Sequence, residues 1–573
     1  MMKLFRRCFW TVAVFVVPVP VWAEMDIQIN GLSGSLKKNV NIYVAAIPKS
    51  DYSTSLRFRN QLETEMRTAL KALGRYQPVF TYSVEEDGDD STLTVNVDAG
   101  PKTKIARSDI RITGAAEDDL DFFVLKRDSD LELGRTLNHG KYDAFKSSLE
   151  SLALRKGYFD AEMKTSRLEV APGRNEAFIE IAFDSGKRYK YGEIDILGSQ
   201  IIDRKVRSLS PFEEGDYYLV SEVGEYNQRL SQVGWFSSIF VGGDVDDLQN
   251  ETVPIRVNLR PEVRNKIETG IGYSTDVGPR LKFNWRKPWM NSAGHSLDVR
   301  TEISTVQPKV EAIYKIPLEN VLEDYYQILG AIRYVDNHST TSTEYHFGVE
   351  RHWNLDDAWD GVASVRLLYE DYSQGAFEEG STFMVIPGIG VDRTRLRGGS
   401  WPTWGDKQLL KLEYSDPALG SDTRLAKLRG RSAWIRSYGE NHRGLARLDA
   451  GAVWAERLED IPPSMRFFIG GDNSLRGYSY ESISPRDSEG QQVGGEYMLA
   501  SSLEYQYRLT GNWWGAVFYD YGSSWNDTPD WQAGSGVGIR WASPVGPIRL
   551  DFAWGLDKPD DRFQIHFVLG PEL

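Results

Sequence analysis

A change of sequence pattern near Pro261 constrains this chain more than any other feature. Before it, one mixed α/β pattern is written three times; after it, about 310 residues mostly alternate apolar and polar. Each repeat opens on a short strand pattern ending in glycine: Asp26 to Gly31, Asp109 to Gly114 and Glu193 to Gly198. Each then carries a helix ending in glycine with an aromatic close behind: Leu73-Gly74-Arg75-Tyr76, Lys156-Gly157-Tyr158-Phe159 and Val233-Gly234-Trp235-Phe236. The opening glycines lie 83 and 84 residues apart, so the repeating unit is a small domain, larger than an ordinary solenoid repeat. Three such modules ahead of a long all-β segment predict a membrane-anchored assembly.

Residues 1–23 read as an export signal, with Lys3, Arg6 and Arg7 before an apolar run and Val21-Trp22-Ala23 as the cleavage site. The single cysteine, Cys8, falls inside that signal, so thiol catalysis, disulfides and cysteine metal sites are excluded from the mature chain. No later stretch is long and apolar enough for a transmembrane helix, which leaves an exported soluble protein or a transmembrane β-barrel. A net charge of -15 and the lack of a basic block argue against a nucleic-acid partner.

Within each module the order reads strand, helix, helix, strand, strand. In the second, Phe145, Leu149 and Leu152 share one helical face, and Gly157 can end that helix in a left-handed conformation. Phe159 to Leu168 and Glu176 to Phe183 are its expected closing strands. Beyond Arg264 the period is two. Leu503, Tyr505, Tyr507 and Leu509 oppose Glu504, Gln506 and Arg508; Phe563, Ile565, Phe567 and Leu569 oppose Gln564 and His566. A polar face fits a wet lumen and an aromatic-rich face fits lipid. Of 17 tryptophans, 14 follow Arg264, as girdles at two membrane interfaces require. At roughly 19 residues per strand and connection, the segment holds about 16 strands. A soluble sandwich or propeller is the alternative, but no blade repeat is present.

Motifs for catalysis are missing: there is no Gly-x-Ser-x-Gly, Walker loop or His-Glu-x-x-His. The seven histidines are scattered; His346 and His352 share a face if one strand spans them, which is weak evidence for a metal. The pairs Asp356-Asp357 and Asp560-Asp561 read as solvated loops. No enzyme activity, cofactor or metal is expected. The informative segment is Phe467 to Tyr478, ending Leu475-Arg476-Gly477-Tyr478. If that loop folds into a barrel, Arg476 becomes a buried cation in need of carboxylates, and Glu504 and Asp520 are candidates by strand parity.

These residues resemble the BamA/TamA superfamily of outer-membrane insertases, and the module order resembles its POTRA domains. Pro402-Thr403-Trp404-Gly405 resembles the family's Pro-Thr-x-Gly turn, and Gly536 to Arg540 with Ser543 to Pro547 its penultimate-strand region. The resemblance implies α+β POTRA domains followed by a transmembrane barrel of about 16 antiparallel strands. It divides the chain into POTRA domains at 24–104, 105–189 and 190–263 and a barrel at 264–573. Three POTRA domains, rather than five or two, point to the TamA branch. The family's loop lock would comprise Arg476, Gly477, Tyr478, Glu504 and Asp520. Implied with it are a Gram-negative outer-membrane location, periplasmic POTRA domains, β-rich clients such as autotransporters, and an inner-membrane-anchored partner, TamB. A two-partner secretion pore and a lipid conduit are the alternatives.

The chain's own residues suggest a lateral seam. Gly270 and Gly272 weaken the first barrel strand, expected over Lys266 to Ser274. Phe563, Ile565 and Phe567 face lipid on the last strand, which ends at Gly570-Pro571 without a donor to extend the ladder. A departure accompanies this: the chain ends Leu569 to Leu573 where outer-membrane strands usually end on an aromatic.

Overall fold

The computed structural model describes residues 25–87, 90–248, 250–337, 339–356, 358–376, 378–399, 401–543, 546–557 and 563–569. The expected export signal, His338, Asp357, Asp560, Asp561, Gly570 and Pro571 lie outside the described residues. The chain divides into two compact units: Met1–Gly192 with Glu214–Ser221 and Val245–Pro254, and Glu193–Glu213 with Glu222–Asp244 and Ile255–Leu573.

The first unit holds two three-stranded sheets built to one plan. In the first, Met25–Asn30 runs parallel to Asp90–Asp98, which pairs antiparallel with Val79–Asp87. In the second, Lys104–Thr113 is parallel to Glu176–Asp184, and Glu162–Ala171 antiparallel to it. The last strand is central in both, and the start of the outer strand Lys104–Thr113 is itself covered, Ile105 exchanging backbone bonds with Gly134 and Arg135. Helices Gly34–Ala45 and Leu56–Ala72 serve one sheet, Leu120–Arg127 and His139–Arg155 the other. Phe145, Leu149 and Ala153 are buried in the second core, with Leu152 packed at its margin. The repeated glycines have a steric cause. A Cβ on Gly31 (φ +84°) would sit 2.2 Å from the carbonyl oxygen of Val97 on the central strand, so only glycine lets the first strand end against its neighbour. The strand expected from Phe159 begins instead at Glu162. Phe159 is held out of it by its ring packing on Tyr189 and Tyr218, with centroids 5.8 and 5.1 Å away.

A third sheet repeats the order with Lys190–Leu197, Thr252–Pro261 and Phe236–Gly243. In the second unit, residues of this module join the barrel directly. Trp235 Nε1 donates to the Gly294 carbonyl at 3.1 Å, and the Ile202 amide to Ser292 at 3.0 Å. Trp289 Nε1 returns a bond to Glu262 at 2.9 Å.

The barrel closes from sixteen antiparallel strands in chain order, from Lys266–Ser274 to Phe563–Leu569. Period-two alternation sets its faces: Leu503, Tyr505, Tyr507 and Leu509 are exposed while Glu504 and Gln506 are buried. Trp513 and Trp541 stack at 5.5 Å between centroids near the strand ends, as an interfacial girdle requires. Gly536 to Arg540 lie on Gln532–Ser543, third from last, so the penultimate strand is Gly546–Gly555. The lumen is not uniformly wet. Inward Leu368, Met384, Ile386, Leu425 and Val453 cluster with Ile461, Met465, Phe467 and Ile469 of the 456–496 loop. That loop enters the barrel and gives one lumenal wall an apolar core.

Candidate functional site

The loop tip lands on four side chains placed by strand register. Glu504 and Ser502 stand on Tyr497–Thr510, and Phe518 and Asp520 on Trp513–Trp525. Pairing sets Ser502 opposite Asp520 and Glu504 opposite Phe518. Arg476 covers this patch and is 1% exposed. Its Nε donates to Asp520 Oδ2 at 2.8 Å and its Nη2 to Oδ1 at 2.9 Å, a two-point fork that lysine could not make. Nη1 donates to Glu504 Oε2 at 2.7 Å, and Nη2 also reaches Ser502 Oγ at 3.2 Å. The guanidinium lies over the Phe518 ring, 3.4 Å from its centroid.

Close approach needs bare backbone below. A Cβ on Gly534 would fall 2.0 Å from the Arg476 carbonyl oxygen, and one on Gly477 (φ +89°) 2.6 Å from the Gly555 amide nitrogen. Tyr478 is buried, its hydroxyl within 3.1 Å of both Gln532 Oε1 and the Ala533 carbonyl. All five sequence-predicted loop residues therefore meet in one place.

Sequence reasoning missed the rest of the network. Arg540 pairs with Glu504 at 2.8 Å and Asp551 at 2.6 Å, and Asp551 lies 3.5 Å from Arg476. His566 Nε2 accepts the Gly477 amide at 3.0 Å. Parity marked His566 as inward without tying it to the loop, and Arg540 and Asp551 carried no local signal. Arg443 donates to the Pro402 carbonyl at 2.9 Å and to Gln506 at 2.7 Å, holding the Pro402-Thr403 turn. His346 and His352 do share one strand, each bonded to a glutamate, Glu344 at 2.8 Å and Glu350 at 2.9 Å.

The seam lies beside this site. Among the described residues, Ser274 and Val568 are the one register pair between first and last strands. Thr275 adds an amide bond to the Phe567 carbonyl at 3.3 Å. Lys266–Ser274 pairs along its full length with Gly278–Lys287 on the other side. Ile267 and Ile271 are exposed on the first strand, and Phe563 and Ile565 on the last. Neither Gly270 nor Gly272 is required sterically: an added Cβ would meet its nearest neighbour at 3.9 Å.

Fold and site together define a membrane β-barrel preceded by POTRA domains and carrying an inward-locked loop. The profile of the Omp85 superfamily domain matches residues 265–572, and that of "POTRA domain TamA domain 1" matches residues 26–99. The chain belongs to the Omp85 superfamily. It is accordingly a Gram-negative outer-membrane barrel with its POTRA region in the periplasm. The outer membrane protein assembly factor BamA of Nitratidesulfovibrio vulgaris is 22% identical over 71% of this chain. The chain spans 54% of that relative's length. Outer envelope protein 80 of Arabidopsis thaliana chloroplasts is 34% identical over 22% of the chain. The crystal structure of BamA from Haemophilus ducreyi lacking POTRA domains 1–3 has the same fold, with a TM-score of 0.68 at 16% identity. It covers 81% of this chain and 99% of that one.

Proposed function

We propose that this protein assembles β-rich clients into the outer membrane at its lateral seam, as a member of the TamA branch. One observation carries the reading: among the described residues the barrel closes on a single register pair, leaving most of two strand edges without a strand partner at the seam. Such an edge pairs with an incoming strand through backbone hydrogen bonds and makes little demand on its side chains. Clients such as autotransporters supply strands of this kind. The outer strands of the POTRA sheets, beyond the short stretches that loops already cover, hold clients before insertion, with the domains divided at 24–104, 105–189 and 190–263. The matched profile of POTRA domain TamA domain 1 supports the TamA branch, and in this reading a TamB-like inner-membrane partner docks on that domain. The exposed apolar face of the seam gives passing clients contact with outer-membrane lipid. Arg476 and its carboxylates keep the 456–496 loop inside the lumen while the seam works.

Tyr273 and Phe567 face each other across the seam, ring centroids 6.0 Å apart. A Tyr273→Cys/Phe567→Cys pair in a Cys8→Ser background is expected to crosslink and to arrest client insertion into proteoliposomes until reduced. Insertion at the same rate in the crosslinked and reduced states would sink the lateral mechanism.

A further inference from the structure

Asp276, Asp472 and His566 bring ligand-type atoms within 4.8 Å of one another, at the edge of the Arg476 network that His566 joins through Gly477. A metal centre is the obvious reading, and it fails on the imidazole. Nε2 of His566 accepts the Gly477 amide, so the one proton of a neutral ring sits on Nδ1. That Nδ1 lies 2.6 Å from Asp472 Oδ1 and donates to it, with no lone pair left for a cation.

We propose that the cluster is a proton-linked clamp in which Asp472, carried by the loop, holds both seam strands together. Asp472 Oδ1 takes a bond from Thr275 Oγ1 at 3.0 Å, at the end of the first strand, and from His566 on the last strand. Thr275 Oγ1 in turn accepts the Phe567 amide at 3.2 Å. The clamp therefore sits where the seam is paired among the described residues. Topology puts these parts together. In an up-and-down barrel the connections after the first and eleventh strands, residues 275–277 and 456–496, lie at the same end.

The ligand of the cluster is a proton. Asp472 is 2% exposed, and its Oδ2 meets no donor among the described residues. The Asp276 carboxyl faces it, with Oδ2 accepting the Asp472 amide at 2.8 Å. Two carboxylates in contact cannot both stay ionised. Burial first, and then the charge of Asp472, push the Asp276 carboxyl well above the usual carboxylate range. Protonated Asp276 supplies the missing donor. The other charged groups facing it are Glu481 of the loop, Asp336 of a neighbouring strand and His566. Across a lumenal cavity of 440 Å³ lie Arg429, Arg431 and Arg447, the first two already paired with Asp449.

The sign follows from the raised value. The clamp's stabilisation is complete below the ordinary carboxylate range and is lost as pH rises through the raised Asp276 value, when two adjacent carboxylates repel. This deepens the lateral reading, but the test measures the seam alone. Spin labels on Ile271→Cys and Ile565→Cys, in the full Cys8→Ser chain in phospholipid vesicles, report the distance across the seam. The wild-type clamp should give one narrow distance at about pH 6 and a separated population at least about tenfold larger at about pH 10. Asp276→Asn, which keeps donors toward Asp472 but cannot ionise, should stay narrow at both. Thr275→Val should show the separated population at both. Heat-modifiable gel mobility checks that each barrel is folded, and the wild-type series decides alone if a variant is not. An unchanged wild-type distance, or an alkaline opening retained in Asp276→Asn, overturns the clamp. Because no client is present, that result leaves the disulfide-lock experiment free to uphold or refute seam-based assembly.

Discussion

Arg476→Ala should release the loop tip, and the cost falls unevenly on its partners. Glu504 keeps Arg540 at 2.8 Å and Gln506 at 2.7 Å after the arginine is gone. Asp520, fully buried, loses both prongs of the guanidinium fork and keeps the backbone amide of residue 476 at 3.0 Å. Removing one partner of a buried ion pair costs about 3–5 kcal/mol, chiefly from the charge left behind. At about 1.4 kcal/mol per tenfold, that is a rise of about 140-fold to about 4,000-fold in the open population of the tip. The Gly477 amide reports it, because its bond to His566 exists only when the tip is docked. Hydrogen exchange of that amide in vesicles should quicken by this factor while exchange in the Trp513–Trp525 strand holds steady. Asp520→Asn in the Arg476→Ala background should restore part of the protection, since an amide carries no charge to strand. Arg476→Lys should fall between, as one ammonium cannot serve Asp520 and Glu504 through a fork. Exchange at Gly477 within about threefold of wild type in Arg476→Ala would refute the buried-charge reasoning.

Two further outcomes test the periplasmic region. Deleting residues 24–104 should abolish capture of a TamB-like inner-membrane partner while the barrel keeps its heat-modifiable mobility; capture at the wild-type level would move the docking site elsewhere. Gly294→Ala should loosen the third module from the barrel, because the new Cβ would fall 2.2 Å from the Trp235 ring at a position with φ of +78°. Faster exchange of the Ile202 amide, with the barrel strands unaffected, is the expected sign; equal exchange would show that Trp235 is not an anchor.

Local rules made much of this protein legible. Period-two alternation after Arg264 announced a barrel because a pleated strand must send successive side chains to opposite faces. Glycines at Gly31, Gly74 and Gly157 marked the ends of a strand and of helices within the modules because backbone angles there disfavour other residues. Arg476, Glu504 and Asp520 were readable together because a buried guanidinium needs carboxylates and strand parity points them inward. Parity has a limit: it says that a side chain faces the lumen but not what it meets there. Asp551, 75 residues from Arg476, Asp472 and His566 joined the site only through register and the loop's path. Leu368, Met384 and Ile386 can be apolar and inward because the loop's own apolar side chains fill the space beside them, which no local pattern announces. The seam is the clearest case. Gly270, Gly272 and Pro571 suggested a weak closure, but not that the two strands would share one register pair among the described residues, because ring closure and stagger belong to all sixteen strands at once and to no segment of the sequence.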